Sequence, residues 1–154
     1  FSFGQEDIER FKVYNTDNIY TSILLDSATG QTWQLQIGIG DDSSRMKTVL
    51  SDYKWAETLE ELNARYKISY EYWEKAEFKS DSIMSVEEKK MFKPATVDEQ
   101  LNKYQTARLQ QNGRFKLYPT ENTYNFIMVD VIDGRTWQVQ WNIDYDKRLC
   151  YRID

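Results

Sequence analysis

From residue 10 to residue 51 the chain alternates apolar and polar positions at the two-residue period of half-buried strands. Phe11, Val13 and Asn15 alternate with Lys12 and Tyr14. Ile19 to Asp26 carries apolar residues on both faces, which predicts a central strand covered on both sides. Trp33, Leu35, Ile37 and Ile39 point one way, and Gln34 and Gln36 the other. A short fourth strand is expected at about 46–50. The turn Asp26-Ser27-Ala28-Thr29-Gly30 has a physical logic: the Asp carboxylate accepts from turn amides, and Gly takes the left-handed position that closes a bulged hairpin.

The pattern recurs 104 residues later without a gap. Arg10-Phe11-Lys12-Val13-Tyr14 matches Arg114-Phe115-Lys116-Leu117-Tyr118, and Gly30-Gln31-Thr32-Trp33-Gln34-Leu35-Gln36 matches Gly134-Arg135-Thr136-Trp137-Gln138-Val139-Gln140. Over positions 10–42 there are 16 identities in 33. One residue extra in the first copy, Arg45-Met46-Lys47 realigns with Arg148-Leu149-Cys150. The chain is therefore read as repeat A (about 10–51), a middle segment (52–113) and repeat B (114–154), within one compact domain.

The middle segment reads as helical. Ser85-Val86-Glu87-Glu88 and Thr96-Val97-Asp98-Glu99 fit the capping box, with Pro94 between them. Val97, Leu101 and Tyr104 predict a helix over about 97–110, and Trp55, Leu59 and Leu62 another over about 54–64. Residues 65–73 are open to helix or strand. The expected fold class is α+β: two homologous antiparallel β-meanders with helices of the middle segment packed on the sheets. Each meander is too small to bury its own apolar face, so the repeats are expected to pair pseudo-symmetrically, with Trp33 and Trp137 in equivalent buried positions.

Composition narrows the chemistry. The chain has no histidine, which removes the usual general base and most zinc sites. Its one cysteine, Cys150, excludes an internal disulfide or a CxxC site and reads as a small packed residue. A net charge of −5 without a basic run argues against nucleic acid, and no 18-residue apolar stretch argues for membrane insertion. Scattered acids such as Asp17, Asp41, Asp42, Asp144 and Asp146 lack the spacing of a calcium loop, so no metal or cofactor is expected. The opening residue is Phe1, not Met, which reads as the mark of a removed segment, whether a cleaved signal, a cloning boundary or a tag; with the acidic, aromatic-rich composition an exported protein fits slightly better than a cytoplasmic one.

The hairpin from Leu25 to Trp33 resembles the Asp-x-x-Thr-Gly-x-x-x-Trp hairpin of quinoprotein-type β-propeller blades over about ten residues per repeat. It departs from that pattern by one position at the Trp, and Asp133 stands in repeat B where Thr is usual. This is a turn-and-packing signature that implies no activity or cofactor, and two blades do not close a propeller. The whole repeat also looks like Trp-Gln-Val-Gln meanders of exported bacterial proteins.

Three sets of side chains stand out as binding candidates. Arg10, Lys12, Gln34 and Gln36 recur as Arg114, Lys116, Gln138 and Gln140, offering directional hydrogen bonds from one side of each sheet. Tyr70, Tyr72 and Trp73 lie in the densest stretch of a chain with 15% aromatic residues, and such rings suit a protein or glycan partner. Tyr14-x-Thr16-x-Asn18-x-Tyr20 and its copy at 118–124 read as turn chemistry. The function expected is a non-catalytic binding or interaction module, with no catalytic residue assigned. The competing readings are a carboxylate-dependent hydrolase with a cleft between the repeats and a structural subunit that assembles into a homo-oligomer.

Overall fold

A computed structural model describes residues 8–38, 40, 45–76, 86–102 and 108–154. The chain forms two compact units: residues 1–56 with 110–154, and residues 57–109.

The first unit holds two four-stranded antiparallel meanders, one per repeat. Strands β1 (Phe11–Asn15), β2 (Thr21–Asp26), β3 (Thr32–Gln36) and β4 (Met46–Ser51) form the first in that order. Further along the chain, β5 (Phe115–Pro119), β6 (Asn125–Asp130), β7 (Thr136–Gln140) and β8 (Leu149–Ile153) form the second. The first three strands of each meander pair in the same register, with Trp33 opposite Leu24 and Trp137 opposite Met128, while a bulge at Thr32/Trp33 sets β3–β4 apart from β7–β8. The α+β class and the paired meanders agree with the sequence.

The same two turn devices recur. In the β1–β2 connection, Thr16 Oγ1 donates towards the Thr21 carbonyl (2.7 Å) and accepts from the Asn18 amide (3.1 Å), while Asn18 Oδ1 accepts from the Tyr20 amide (2.9 Å). Thr120 and Asn122 do the same for the Asn125 carbonyl and the Tyr124 amide. In the β2–β3 connection the Gly30 amide donates to the Asp26 carbonyl at 2.8 Å, as Gly134 does to Asp130. Both glycines have positive φ (80° and 78°), which L side chains adopt only under strain.

Burial alternates along each strand, but the covered face differs between the repeats. In the first sheet Ile23, Leu25, Thr32 and Gln34 are buried, while Leu24, Trp33 and Leu35 are only half-buried. In the second sheet Phe115, Leu117, Met128, Trp137, Val139 and Trp141 are buried. Ile23 and Leu25 belong to one core cluster with those side chains of the second sheet. The Phe115 amide donates to the Ser27 carbonyl (2.8 Å), and the Asn142 amide to Gln34 Oε1 (3.3 Å). The sheets thus stack back to front: the face of the first that carries the glutamines meets the face of the second that carries the tryptophan. This corrects the expectation of equivalent burial. Trp137 is fully buried between Trp55 (ring centroids 4.8 Å) and Phe115 (5.8 Å), whereas Trp33 lies on the first sheet's outer face. Both tryptophans occupy the same face of their own meander, and only one of those faces is covered.

The second unit contains α1 (Leu59–Lys75), α2 (Val86–Met91) and α3 (Val97–Asn102). Helix α1 starts from a full capping box, with the Glu61 amide donating to Thr58 Oγ1 (3.1 Å) and the Thr58 amide to Glu61 Oε2 (2.8 Å). It begins later than the expected residue 54 and takes in the whole ambiguous stretch 65–73. The Thr96–Glu99 box caps α3 as expected (3.2 and 2.8 Å). That helix does not reach 110, because Leu109 forms a parallel bridge with Glu57 and the Glu57 amide donates to the Arg108 carbonyl (2.6 Å). Ser85, Tyr104, Ile39, Asp41 and Asp42 fall outside the described residues.

Candidate functional site

The two arginines of the polar set are structural. Arg10 grips the Asp26 carboxylate with Nε (3.1 Å to each oxygen) and Nη2 (2.8 Å), tying β1 to the end of β2. Arg114 grips Asp130 in the same way, with Nε at 3.1 and 3.0 Å and Nη2 at 2.9 Å. The second pair is buried and extended: Arg135 reaches Asp130 (2.8 Å), Asp133 (2.7 Å) and the Trp55 carbonyl (3.2 Å). Burial pushes both aspartates up, but the guanidinium bonds and the amides of Ala28 and Ile132 outweigh it and hold each carboxyl below its usual range. Such carboxylates stay ionised and committed to their partners, unlike a general acid. The sequence carried the sign of this pairing, an Arg and an Asp 16 residues apart in both repeats, although Asp26 is there read only as a turn residue.

The lysines and glutamines share one face within each sheet but meet different surroundings. Gln34 is buried at the sheet–sheet interface, and Gln36 accepts from the Thr21 hydroxyl (3.3 Å). On the second sheet the corresponding face points outward. There Gln138 Nε2 donates to Asn125 Oδ1 (2.7 Å), and Gln140 Nε2 to the Lys147 carbonyl (2.7 Å). Lys12 is half-buried and Lys116 exposed.

In the helical unit Tyr70 and Trp73 come together, and Tyr72 does not join them. Tyr66, Tyr70 and Trp73 fall on one stripe of α1, with ring centroids 5.9 and 5.5 Å apart. Trp73 Nε1 donates to the Lys89 carbonyl (2.9 Å), and the ammonium of Lys93 stands 5.8 Å from the Tyr70 ring. This stripe packs one helix against its neighbour, while Tyr72 is 80% exposed on another face.

Other groups offer little chemistry. Burial pushes the Cys150 thiol up to about 11, with the Ser51 side chain opposing, so the thiol stays protonated at neutral pH. A cleft of about 40 Å³ between the Thr16 and Thr120 turns has room for a water or two, not a substrate. Among the described residues no group of three or more acidic or cysteine side chains is placed to hold a metal, and no helix is long and apolar enough to cross a membrane.

One feature without a role so far is the outer face of the first sheet. Phe11, Val13 and Ile37 are 51%, 59% and 56% exposed, and they flank half-buried Leu24, Trp33 and Leu35. Lys47 lays its ammonium 4.2 Å from the Trp33 ring centroid, which leaves that ring with a cation as its cover. The alternation of β1 and β3 signals an apolar face here, but nothing in it tells an outer face from an inner one. Compared with known protein families, curated proteins and solved structures, the chain matches none.

Proposed function

We propose that the chain is a non-catalytic interaction module that binds a protein partner through the outer face of its first sheet. The observation that carries this reading is the exposure of Phe11, Val13 and Ile37 around Trp33 on an otherwise regular sheet. Contiguous apolar surface of this kind marks association sites in soluble domains. A polypeptide suits it better than a glycan. The face is mainly apolar, with Phe, Val, Leu, Trp and Ile side chains, and its polar groups among the described residues are Asn15, Ser22 and the Lys47 that lies over the Trp33 ring, where a stacked sugar would have to sit. The buried carboxylates Asp26 and Asp130 are engaged by arginines and are not free to act as an acid–base pair, which weighs against the hydrolase reading.

Site-specific photo-crosslinking tests it. A benzophenone side chain placed at Val13 should join one polypeptide of discrete mass in an extract of the source cells. Excess wild-type chain should compete the adduct away, and Val13→Lys chain should not. No adduct above that of the same probe at exposed Asp154 would refute the reading.

A further inference from the structure

The interface inside the chain is itself a description of what covers the exposed face. We infer that the partner is a second copy of this chain, seated head to tail, so that the outer face of its second sheet covers the outer face of the first sheet here. This rests on the function proposed above and names the partner of the same face.

Two independent comparisons lead to it. The exposed outer face of the first sheet carries Phe11, Val13, Leu24, Trp33, Leu35 and Ile37; at the same register the second sheet carries Phe115, Leu117, Met128, Trp137, Val139 and Trp141, all buried against a neighbouring meander. A surface built to receive a meander is thus present twice and filled once. The surface that does the filling is also present twice. Ile23, Leu25, Thr32 and Gln34 of the first sheet are buried in the internal interface, and their counterparts Ile127, Val129, Thr136 and Gln138 repeat that set almost residue for residue on the half-exposed face of the second sheet.

The β2–β3 turns agree. In repeat A every residue from Asp26 to Gly30 is buried; Ser27 accepts the amides of Phe115 and Gly113 (2.8 and 2.9 Å). A Cβ added to Gly30 would stand 2.8 Å from Trp55 and 3.1 Å from Phe115. In repeat B the turn is exposed at Val131, Ile132 and Gly134, and a Cβ on Gly134 meets nothing within 4 Å. The chain therefore presents a receiving face at one end and an inserting face at the other, each matching a half of its own core. Two different patches that fit one another make a heterologous contact, which continues to a ring or a filament rather than stopping at a two-fold dimer.

Sedimentation of the whole chain across a wide concentration range reads this directly. The wild type should gain mass in multiples of 18.4 kDa. Val13→Lys, on the receiving face, should be monomeric, and so should Ile127→Glu, on the inserting face. Mixed together, these two variants should form a one-to-one dimer and go no further, because each retains the face that the other lacks. Tyr118→Glu, on the more exposed edge strand of the inserting face, repeats the test with less risk to the fold, and near-ultraviolet dichroism checks that each variant is folded. Monomeric wild type throughout, or association that survives in both single variants, would overturn the inference. So would two variants that never pair although folded. If the purified chain stays monomeric while the Val13 probe still captures another polypeptide in the extract, the interaction module stands and only the self-partner falls.

Discussion

Replacing each repeat's tryptophan by alanine should expose the back-to-front stacking as an inequality. An indole buries about 150–250 Å². At ~25 cal/mol per Å² its full burial is worth about 4–6 kcal/mol. Trp137 is wholly buried between Trp55 and Phe115, with the Arg135 guanidinium 5.1 Å from its ring. Its Nε1 has no hydrogen-bond partner among the described residues, and losing this unsatisfied group with the ring returns about 1–3 kcal/mol. These terms leave about 1–5 kcal/mol, and the cavity left behind adds to them, so Trp137→Ala should cost about 3–5 kcal/mol, the range of aromatic truncations in cores. Trp33 rests on its own sheet and under the Lys47 ammonium, with no second layer above it among the described residues. Losing a partly buried ring and one exposed cation–π contact should cost about 1–2 kcal/mol. Urea unfolding followed by far-ultraviolet dichroism gives both values. It should be run at low micromolar chain, where association through the outer face adds least. Equal losses at the two positions would refute the stacking described here, since both tryptophans would then be equally covered.

The two turn glycines should part in the same direction. Both have φ near +80°, so alanine at either is strained by about 1 kcal/mol, but only Gly30→Ala also drives a methyl into Trp55 and Phe115; its melting temperature should fall clearly below that of Gly134→Ala, and equal melting would count against the buried turn. Asp26 and Asp130 have folded pKa values below their unfolded value near 3.8, so the stability they contribute is fully present above about pH 4 and is lost as pH falls through the folded values. Acid titration of the unfolding midpoint should show this, Arg10→Ala should move the acid transition to higher pH, and a stability independent of pH from 5 down to about 2 would sink the account. Cys150, with its thiol near 11, should react slowly with an aromatic disulfide at pH 8 and faster once the chain is unfolded, and immediate reaction of the folded chain would contradict its packing.

Much of this architecture was legible in the sequence because it is local. Strand alternation, the Asp-to-Gly hairpins, the Thr-x-Asn turns and the Thr96–Glu99 cap are set by residues within a few positions of one another, and the duplication showed that they occur twice. The helix across residues 65–73 was undecided because its stripe of Tyr66, Tyr70 and Trp73 becomes an apolar seam only once another helix supplies the Lys89 carbonyl and Lys93. Of the binding candidates, the sequence identified groups that matter but not what they do. Arg10 and Arg114 hold buried aspartates, and the glutamines split between a covered face and an open one.

Local patterning sets the two meanders, their turns and the division of each strand into two faces. Which face lies inside is a matter of long-range packing. Period-two alternation specifies that Trp33 and Trp137 lie opposite the glutamines, and this holds in both repeats. It does not specify which side meets a neighbour, because the central strands β2 and β6 carry apolar residues on both sides. When two copies of such a sheet stack back to front, each uses a different face, so homologous repeats acquire opposite insides. One apolar face of the pair is left in contact with water.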